Sequence, residues 1–181
     1  MNVLKKILIA LLIIIAIPLI VGLFLKKEYS VLREVVINKP QAEVFNYVKY
    51  LKNQDNYSKW ARMDPNMTKT YTGTDGAVGF VSAWDSKNED VGKGAQEIKK
   101  ITDGTRIDYE LRFIKPMEST EHTYMTVEAT SPTQTKVSWG FEGHMSYPWN
   151  VMMLCMDFEK MIGDDLSAGL SNLKTIMEAQ P

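Results

Sequence analysis

Residues 7–25 constrain this chain most, because they form a run of 19 residues without a charge near the amino terminus. One pair of lysines precedes the run and another pair ends it. As a helix, such a run extends about 28 Å, close to the roughly 30 Å hydrocarbon core of a bilayer. Because a backbone crosses lipid only when its hydrogen bonds are made internally, the run predicts one transmembrane helix. The predicted organisation is a membrane anchor over residues 1–27 and one domain over residues 28–181.

A cleaved signal peptide is the alternative interpretation of the same segment. Signal peptides have a shorter apolar region and small residues three and one positions before the cut. The run here is long, and residues 21–25 at its end offer no such site, so an uncleaved anchor is preferred. The flanking positive charges do not favour a cytoplasmic amino terminus. The usual topology of an amino-terminal anchor nevertheless places the domain on the extracytoplasmic side, and we expect that orientation.

The charge of the domain after the anchor excludes some classes of partner. It carries 17 basic and 22 acidic residues, a net charge of −5. Binding to nucleic acid, or to anionic lipid by charge, requires a basic face. The negative net charge therefore argues against both kinds of partner. The single cysteine, Cys155, excludes an internal disulfide. The chain is long enough for one well-buried core.

Hydrophobic periodicity predicts an antiparallel sheet that is closed by a long helix. The predicted strands cover residues 29–37, 68–72, 78–84, 92–101, 106–113, 120–129 and 136–143, and the predicted helices cover residues 41–51, 56–62 and 150–178. The last helix carries an apolar stripe at helical spacing, which is typical of a core-facing helix. Its first two turns, residues 149–156, are apolar nearly all round. We expect them to form one rim of a cavity mouth, facing the bilayer or a ligand.

This order of elements resembles the START-like, helix-grip superfamily often labelled SRPBCC, in particular its polyketide cyclase/dehydrase and lipid-transport branch. The resemblance covers residues 29–178, and three segments and one tryptophan carry it. They are residues 36–45 (Val-Ile-Asn-Lys-Pro-Gln-Ala-Glu-Val-Phe), Trp60, residues 135–139 (Thr-Lys-Val-Ser-Trp) and residues 163–173 in the last helix. The resemblance implies an α+β fold, with a curved antiparallel sheet of about seven strands around the carboxy-terminal helix. It also implies an apolar cavity between them, but no catalytic residue, because the superfamily has no shared catalytic signature.

The residues that could carry neutral-pH chemistry are few. His122, His144 and Cys155 exhaust the soft metal ligands, and no two have the spacing of a metal site. His122 alternates opposite Met125 and Val127, which places it on a polar face. The sequence therefore predicts no metal, no cofactor and no catalytic residue.

The candidate cavity-lining residues are aromatic side chains and methionines. They are Trp60, Tyr71, Phe80, Trp84, Tyr109, Phe113, Trp139, Met152 and Met156. The aromatic residues are core residues first, and only a fraction of them would line a cavity. Methionines repack around irregular apolar shapes, but an ordinary methionine-rich core helix explains them equally well.

Three functional hypotheses follow. The first is a membrane-tethered domain that binds an apolar or amphipathic small molecule, such as a lipid or isoprenoid. The second is a cyclase- or hydratase-type enzyme acting on a hydrophobic substrate in the same cavity. The third is a membrane-anchored scaffold for a partner protein. A cavity without convergent titratable groups favours the first, a buried histidine or carboxylate inside it favours the second, and a filled core favours the third.

Overall fold

A computed structural model of the chain describes residues 3–179, which form five α-helices, two 3₁₀ helices and seven strands. In chain order these elements are α1 (Val3–Gly22), β1 (Glu28–Ile37), α2 (Gln41–Val48), a 3₁₀ helix (Leu51–Asn53), α3 (Gln54–Tyr57), α4 (Lys59–Met63), β2 (Thr68–Thr72), β3 (Val81–Asp85), β4 (Lys93–Thr102), β5 (Arg106–Lys115), β6 (Ser119–Ser131), β7 (Gln134–His144), a second 3₁₀ helix (Trp149–Leu154) and α5 (Phe158–Ala179). We call Trp149–Leu154 the apolar 3₁₀ helix.

All seven strands belong to one antiparallel sheet with the order β1-β7-β6-β5-β4-β3-β2. Consecutive strands from β2 to β7 are neighbours, so short turns connect most of them. In the β4–β5 turn, Gly104 has a φ of 75°, a backbone conformation that favours glycine. The first strand pairs with the last, from Glu28 opposite His144 to Ile37 opposite Thr135. This pairing brings the start of the domain next to the segment that leads into α5.

The core lies between the inner face of the sheet and α5. The helix buries a stripe made of Leu166, Leu170, Leu173 and Met177. Short helices close one end of the sheet: the side-chain amide of Gln41 in α2 donates 2.9 Å hydrogen bonds to the carbonyl oxygens of Gly104 and Val127. The short helices α3 and α4 and the first half of α5 border the cavity described below.

The predicted α+β fold, with its seven strands and closing helix, is confirmed. The prediction of one helix over residues 150–178 is wrong at its start, because α5 begins at Phe158 and the apolar 3₁₀ helix is a separate element. The Asp157 carboxylate accepts a 2.8 Å hydrogen bond from the Lys160 N–H, which caps the new helix start. The predicted helix over residues 41–51 ends at Val48, and the one over residues 56–62 is replaced by α3 and α4.

The amino-terminal helix α1 is long and apolar enough to span a membrane, and its most apolar part is unburied. It ends at Gly22, three residues earlier than the uncharged run, and there it contacts the apolar 3₁₀ helix. The Asn150 side-chain amide donates a 2.7 Å hydrogen bond to the Gly22 carbonyl oxygen. A Cβ atom at Gly22 would lie 2.5 Å from Cγ2 of Val151, so the glycine permits this close contact.

Candidate ligand-binding site

A cavity of about 300 Å³ lies between the inner face of the sheet, the short helices α3 and α4, and α5. This volume is at the lower end of the range for small-molecule pockets, roughly 300–1,000 Å³. It suits one compact apolar body or a single acyl chain better than a two-chain lipid. The cavity therefore has the size of a binding site rather than of a packing defect.

Aromatic side chains form much of the wall. The aromatic lining residues are Tyr29, Trp60, Trp84, Phe113, Trp139 and Phe141. Trp84 and Phe113 meet edge to face with ring centroids 6.1 Å apart, and Tyr29 stacks on Phe141 at 6.0 Å. Such pairs favour particular ring orientations, so these contacts restrict the orientation of four of the six aromatic side chains.

Four of the nine residues proposed from the sequence line this cavity, namely Trp60, Trp84, Phe113 and Trp139. Phe80 and Tyr109 do not line it. Each is almost fully buried in the core, and in the sheet Tyr109 is the register partner of Ile98 in β4 and of Thr123 in β6. Tyr71 does not line it either. It lies on β2 at the edge of the sheet, stacks on Phe80, and donates a 2.7 Å hydrogen bond from its hydroxyl to Asp55.

Both methionine candidates lie outside the main cavity. Met152 and Met156 are exposed, because the segment that carries them leaves the path of α5. Met156 lines a shallow hollow on the surface, together with Met153 and Phe158. Tyr29 lines both the hollow and the main cavity, so the two lie next to each other. Residues 149–156, which were expected to form a rim of the cavity mouth, do not line the main cavity, and residues 153–156 line the hollow instead.

The cavity also has polar lining residues that the sequence analysis did not single out. Uncharged ones are Gln54, Ser58, Ser82, Gln96, Ser119 and Thr123, and charged ones are Asp55, Lys69, Asp90 and Glu121. Glu121 and Thr123 lie on the inner face of β6 together with Met125 and Val127. The signal was present in the sequence, because counting back by two from Met125 reaches Thr123 and then Glu121.

Glu121 is a buried carboxylate, with 7% of the residue exposed. Its Oε2 accepts a 2.8 Å hydrogen bond from the backbone N–H of His144. Burial raises the pKa of this carboxyl above its ordinary value, while hydrogen bonds from His144 and Ser119 oppose the rise. Burial, and secondly the nearby Glu121 carboxylate, raise the pKa of Tyr29 to about 12. The Tyr29 hydroxyl therefore stays protonated across the physiological range.

The charges around the cavity are predominantly acidic. Lys69 forms an ion pair with Asp55, so the positive charge of one lining residue is matched by the negative charge of another. Asp90 and Glu121 add two further carboxylates. Among the described residues that line the cavity, Lys69 is the one cation. The cavity thus offers a better environment for a neutral or cationic ligand than for an anionic one.

Neither His122 nor His144 lines the cavity. His122 is on the outer face of the sheet, where Nδ1 lies 2.9 Å from Glu142 and Nε2 lies 3.2 Å from Asp108. This agrees with the polar face predicted for His122. Glu110, on the same outer face, pairs with Arg112. Across residues 3–179, no group of three or more metal-ligating side chains comes together.

An antiparallel sheet wrapped around one long helix, with a cavity between them, defines the helix-grip class. The chain belongs to the family described as polyketide cyclase/dehydrase and lipid transport, whose model matches residues 29–178. Comparison with curated proteins gives no match.

Solved structures share the fold at low sequence identity. Norcoclaurine synthase from Thalictrum flavum, in complex with dopamine and hydroxybenzaldehyde, has a TM-score of 0.62 at 11% identity, covering 85% of this chain and 88% of that one. The Aha1 dimer from Colwellia psychrerythraea has a TM-score of 0.58 at 12% identity, covering 83% of this chain and 97% of that one. Ara h 8.0201 has a TM-score of 0.55 at 13% identity, covering 83% and 95%. At these identities the likeness concerns the fold alone.

Proposed function

We propose that this protein is a membrane-tethered domain that binds one apolar or amphipathic, lipid-like small molecule in the cavity between the sheet and α5. The observation that carries the proposal is the cavity itself, a space of about 300 Å³ with six aromatic side chains in its wall. Burying a ligand there would contribute about 0.8 kcal/mol per methylene group. Binding of this kind requires neither a metal nor a cofactor. The family match over residues 29–178 supports a binding role of this class.

The tether is the second part of the proposal. The helix α1 supplies the membrane span, and its contact with the apolar 3₁₀ helix holds that helix at the bilayer surface. Trp149 is 54% exposed there, and Met152 and Leu154 are exposed beside it. Tryptophan is enriched at membrane–water interfaces because its ring is apolar and its N–H is polar. We assign this segment to the interface, with the domain on the extracytoplasmic side.

A cyclase- or hydratase-type reaction is the second candidate function, because one observation favours it. Glu121 is a buried carboxyl with a raised pKa that lines the cavity, which is the setting of many general acids and bases. His122 and Glu110 lie on the outer face of the sheet and take no part in this candidate reaction. The scaffold hypothesis loses support, since the core contains a cavity.

Binding of a neutral hydrophobic dye tests the proposal. Nile red fluorescence is measured with the full-length protein in nanodiscs, against empty nanodiscs of the same lipid. The substitution Leu111→Trp adds volume inside the cavity, because Leu111 lines it. Leu32→Trp is the matched control, because Leu32 is exposed on the edge strand β1.

We expect the wild type and Leu32→Trp to bind the dye above the empty-nanodisc level, and Leu111→Trp to lose most of that binding at an unchanged fold. Equal dye binding by Leu111→Trp and the wild type would contradict a ligand site in this cavity. Accumulation of a chemically altered hydrophobic substrate with the wild type, lost in Glu121→Gln, would favour the enzymatic alternative.

A further inference from the structure

Two polar side chains lie next to each other on the aromatic-walled cavity, two residues apart on the inner face of β6. Thr123 is 3% exposed, and its hydroxyl oxygen has no hydrogen-bond partner among residues 3–179. Glu121 is the other, and it too lines the cavity. A buried hydroxyl without a partner costs free energy, so its retention in the wall of the cavity points to a partner that the ligand supplies.

The two groups have complementary capacities for hydrogen bonding. An ionised carboxylate accepts about four hydrogen bonds, and Glu121 accepts hydrogen bonds from His144 and Ser119. The Thr123 hydroxyl both donates and accepts. A ligand hydroxyl could donate to Glu121 and accept from Thr123, and a ligand amine could donate to both. A ligand carboxylate could accept from Thr123 only, and it would face the negative charge of Glu121.

The charges around these two residues also disfavour an anionic head group. The positive charge of Lys69 is paired with Asp55, and Asp90 adds a further carboxylate to the lining. The aromatic rings of the wall favour a cation or a neutral donor over an anion, because their faces are electron-rich. Electrostatics and hydrogen-bonding capacity therefore favour the same kind of ligand head group, a neutral or cationic hydrogen-bond donor.

We propose that Glu121 and Thr123 form a head-group subsite that holds a hydrogen-bond-donating group, a hydroxyl or an amine, of an amphipathic ligand. The apolar body of the ligand then occupies the aromatic part of the cavity, and ligands that end in a carboxylate are excluded. This inference rests on the proposed function, because the subsite is part of the cavity in which the ligand is proposed to bind. It narrows the ligand class from any lipid-like molecule to alcohols and amines.

Three probes with the same apolar chain test the subsite: octanol, octylamine and octanoate. Their affinities are measured by calorimetry with the full-length protein in nanodiscs, after subtraction of partitioning into empty nanodiscs. The variants are Glu121→Gln and Thr123→Val. The matched controls are Glu118→Gln and Thr120→Val, because both residues are exposed. Nile red binding to every variant reports whether the fold and the apolar cavity are intact.

We expect the wild type to bind octanol and octylamine at least about tenfold more tightly than octanoate, as charge-assisted hydrogen bonds predict. Glu121→Gln should lose most of the preference for octylamine over octanoate, and Thr123→Val should weaken octanol binding severalfold. The two controls should behave as the wild type. A larger loss for octylamine than for octanol in Glu121→Gln would identify an amine as the preferred head, and the reverse would identify a hydroxyl.

Two results overturn the inference in distinguishable ways. If the wild type binds Nile red but binds all three probes equally, or keeps its selectivity in Glu121→Gln and Thr123→Val, the head-group subsite is wrong while the proposed function stands. If the wild type does not bind Nile red, the proposed function fails and the subsite fails with it. Should Glu121→Gln lose Nile red binding, Thr123→Val, which keeps the size of the side chain, decides the question by its effect on octanol.

Discussion

The side-chain amide of Asn150 donates a 2.7 Å hydrogen bond to the main-chain carbonyl oxygen of Gly22, the last residue of α1. The final carbonyl groups of a helix have no partner within the helix, and here a residue 128 positions away supplies one. Both residues are buried at this contact. The hydrogen bond therefore couples the end of the apolar amino-terminal helix to the apolar 3₁₀ helix of the domain.

The first prediction concerns this contact. Asn150→Ala leaves the Gly22 carbonyl without its donor, which should cost about 1 kcal/mol locally. We expect amide hydrogen exchange in residues 149–156 to become about fivefold faster in nanodiscs. The control is Asn66→Ala, because Asn66 is exposed. Unchanged exchange in Asn150→Ala would show that packing alone holds the two elements together.

The second prediction concerns the division of the chain into an anchor and a domain. After β1 begins at Glu28, the chain contains every strand and helix of the helix-grip fold. We therefore expect full-length protein to stay in carbonate-washed membranes, and a shorter chain starting at Glu28 to be soluble and to unfold cooperatively. Thermal unfolding by circular dichroism measures the latter. Recovery of the full-length protein in the soluble fraction, cut near Leu25, would favour a signal peptide instead.

The third prediction places the apolar 3₁₀ helix at the bilayer surface. Lipids with brominated chains quench tryptophans that enter the membrane, and Trp149 is the exposed tryptophan beside α1, whereas Trp60, Trp84 and Trp139 line the cavity. We expect wild-type fluorescence to be quenched in such nanodiscs, and Trp149→Phe to remove most of the quenched component. Met152→Ser should reduce the quenching and change the melting temperature little, because Met152 is exposed. Full quenching in Trp149→Phe would contradict this placement.

The sheet and its closing helix could be predicted from the sequence because their apolar residues follow clear periods of two and 3.6. The start of α5 could not be predicted from periodicity, because the apolar residues of 149–156 continue the helical spacing. In the structure α5 begins only after Asp157, whose carboxylate accepts a hydrogen bond from the Lys160 N–H. An aspartate at this position is a local helix-start signal. The long apolar stripe is the stronger pattern, and it predicts one continuous helix across Asp157.

The candidate site was only partly predictable for a related reason. Aromatic residues on the inner face were identified, but a face pattern does not say which of them fill the core and which border a space. Tyr109 fills the core, while Phe113, four residues further along β5, borders the cavity. Glu121 could not be predicted as a lining residue, because a charged residue at an inward-facing position contradicts the alternation of polar and apolar residues. Such contradictions occur where a fold gives up stability for function.

The stability of the protein should depend on the protonation of Glu121. Its folded-state pKa is raised above the ordinary value of 4.5, chiefly by burial. Between the ordinary value and the raised one, the folded state binds more protons at this group than the unfolded state does. The contribution of Glu121 to stability is therefore greatest below pH 4.5 and is lost as the pH rises through its folded-state pKa.

The fourth prediction follows from this pH dependence of stability. Glu121→Gln removes the ionisable group but keeps an oxygen that can accept the His144 N–H. We expect its melting temperature to exceed that of the wild type at about pH 8, and this advantage to shrink or vanish at about pH 4, where the buried carboxyl is neutral. Comparing the two proteins at each pH cancels the titration of all other groups. Glu118→Gln is the control for the loss of one carboxyl charge, because Glu118 is exposed. If Glu121→Gln is less stable than the wild type at about pH 8, the hydrogen bonds of the carboxylate stabilise it more than burial destabilises it. The claim that burial raises the pKa of Glu121 is then wrong.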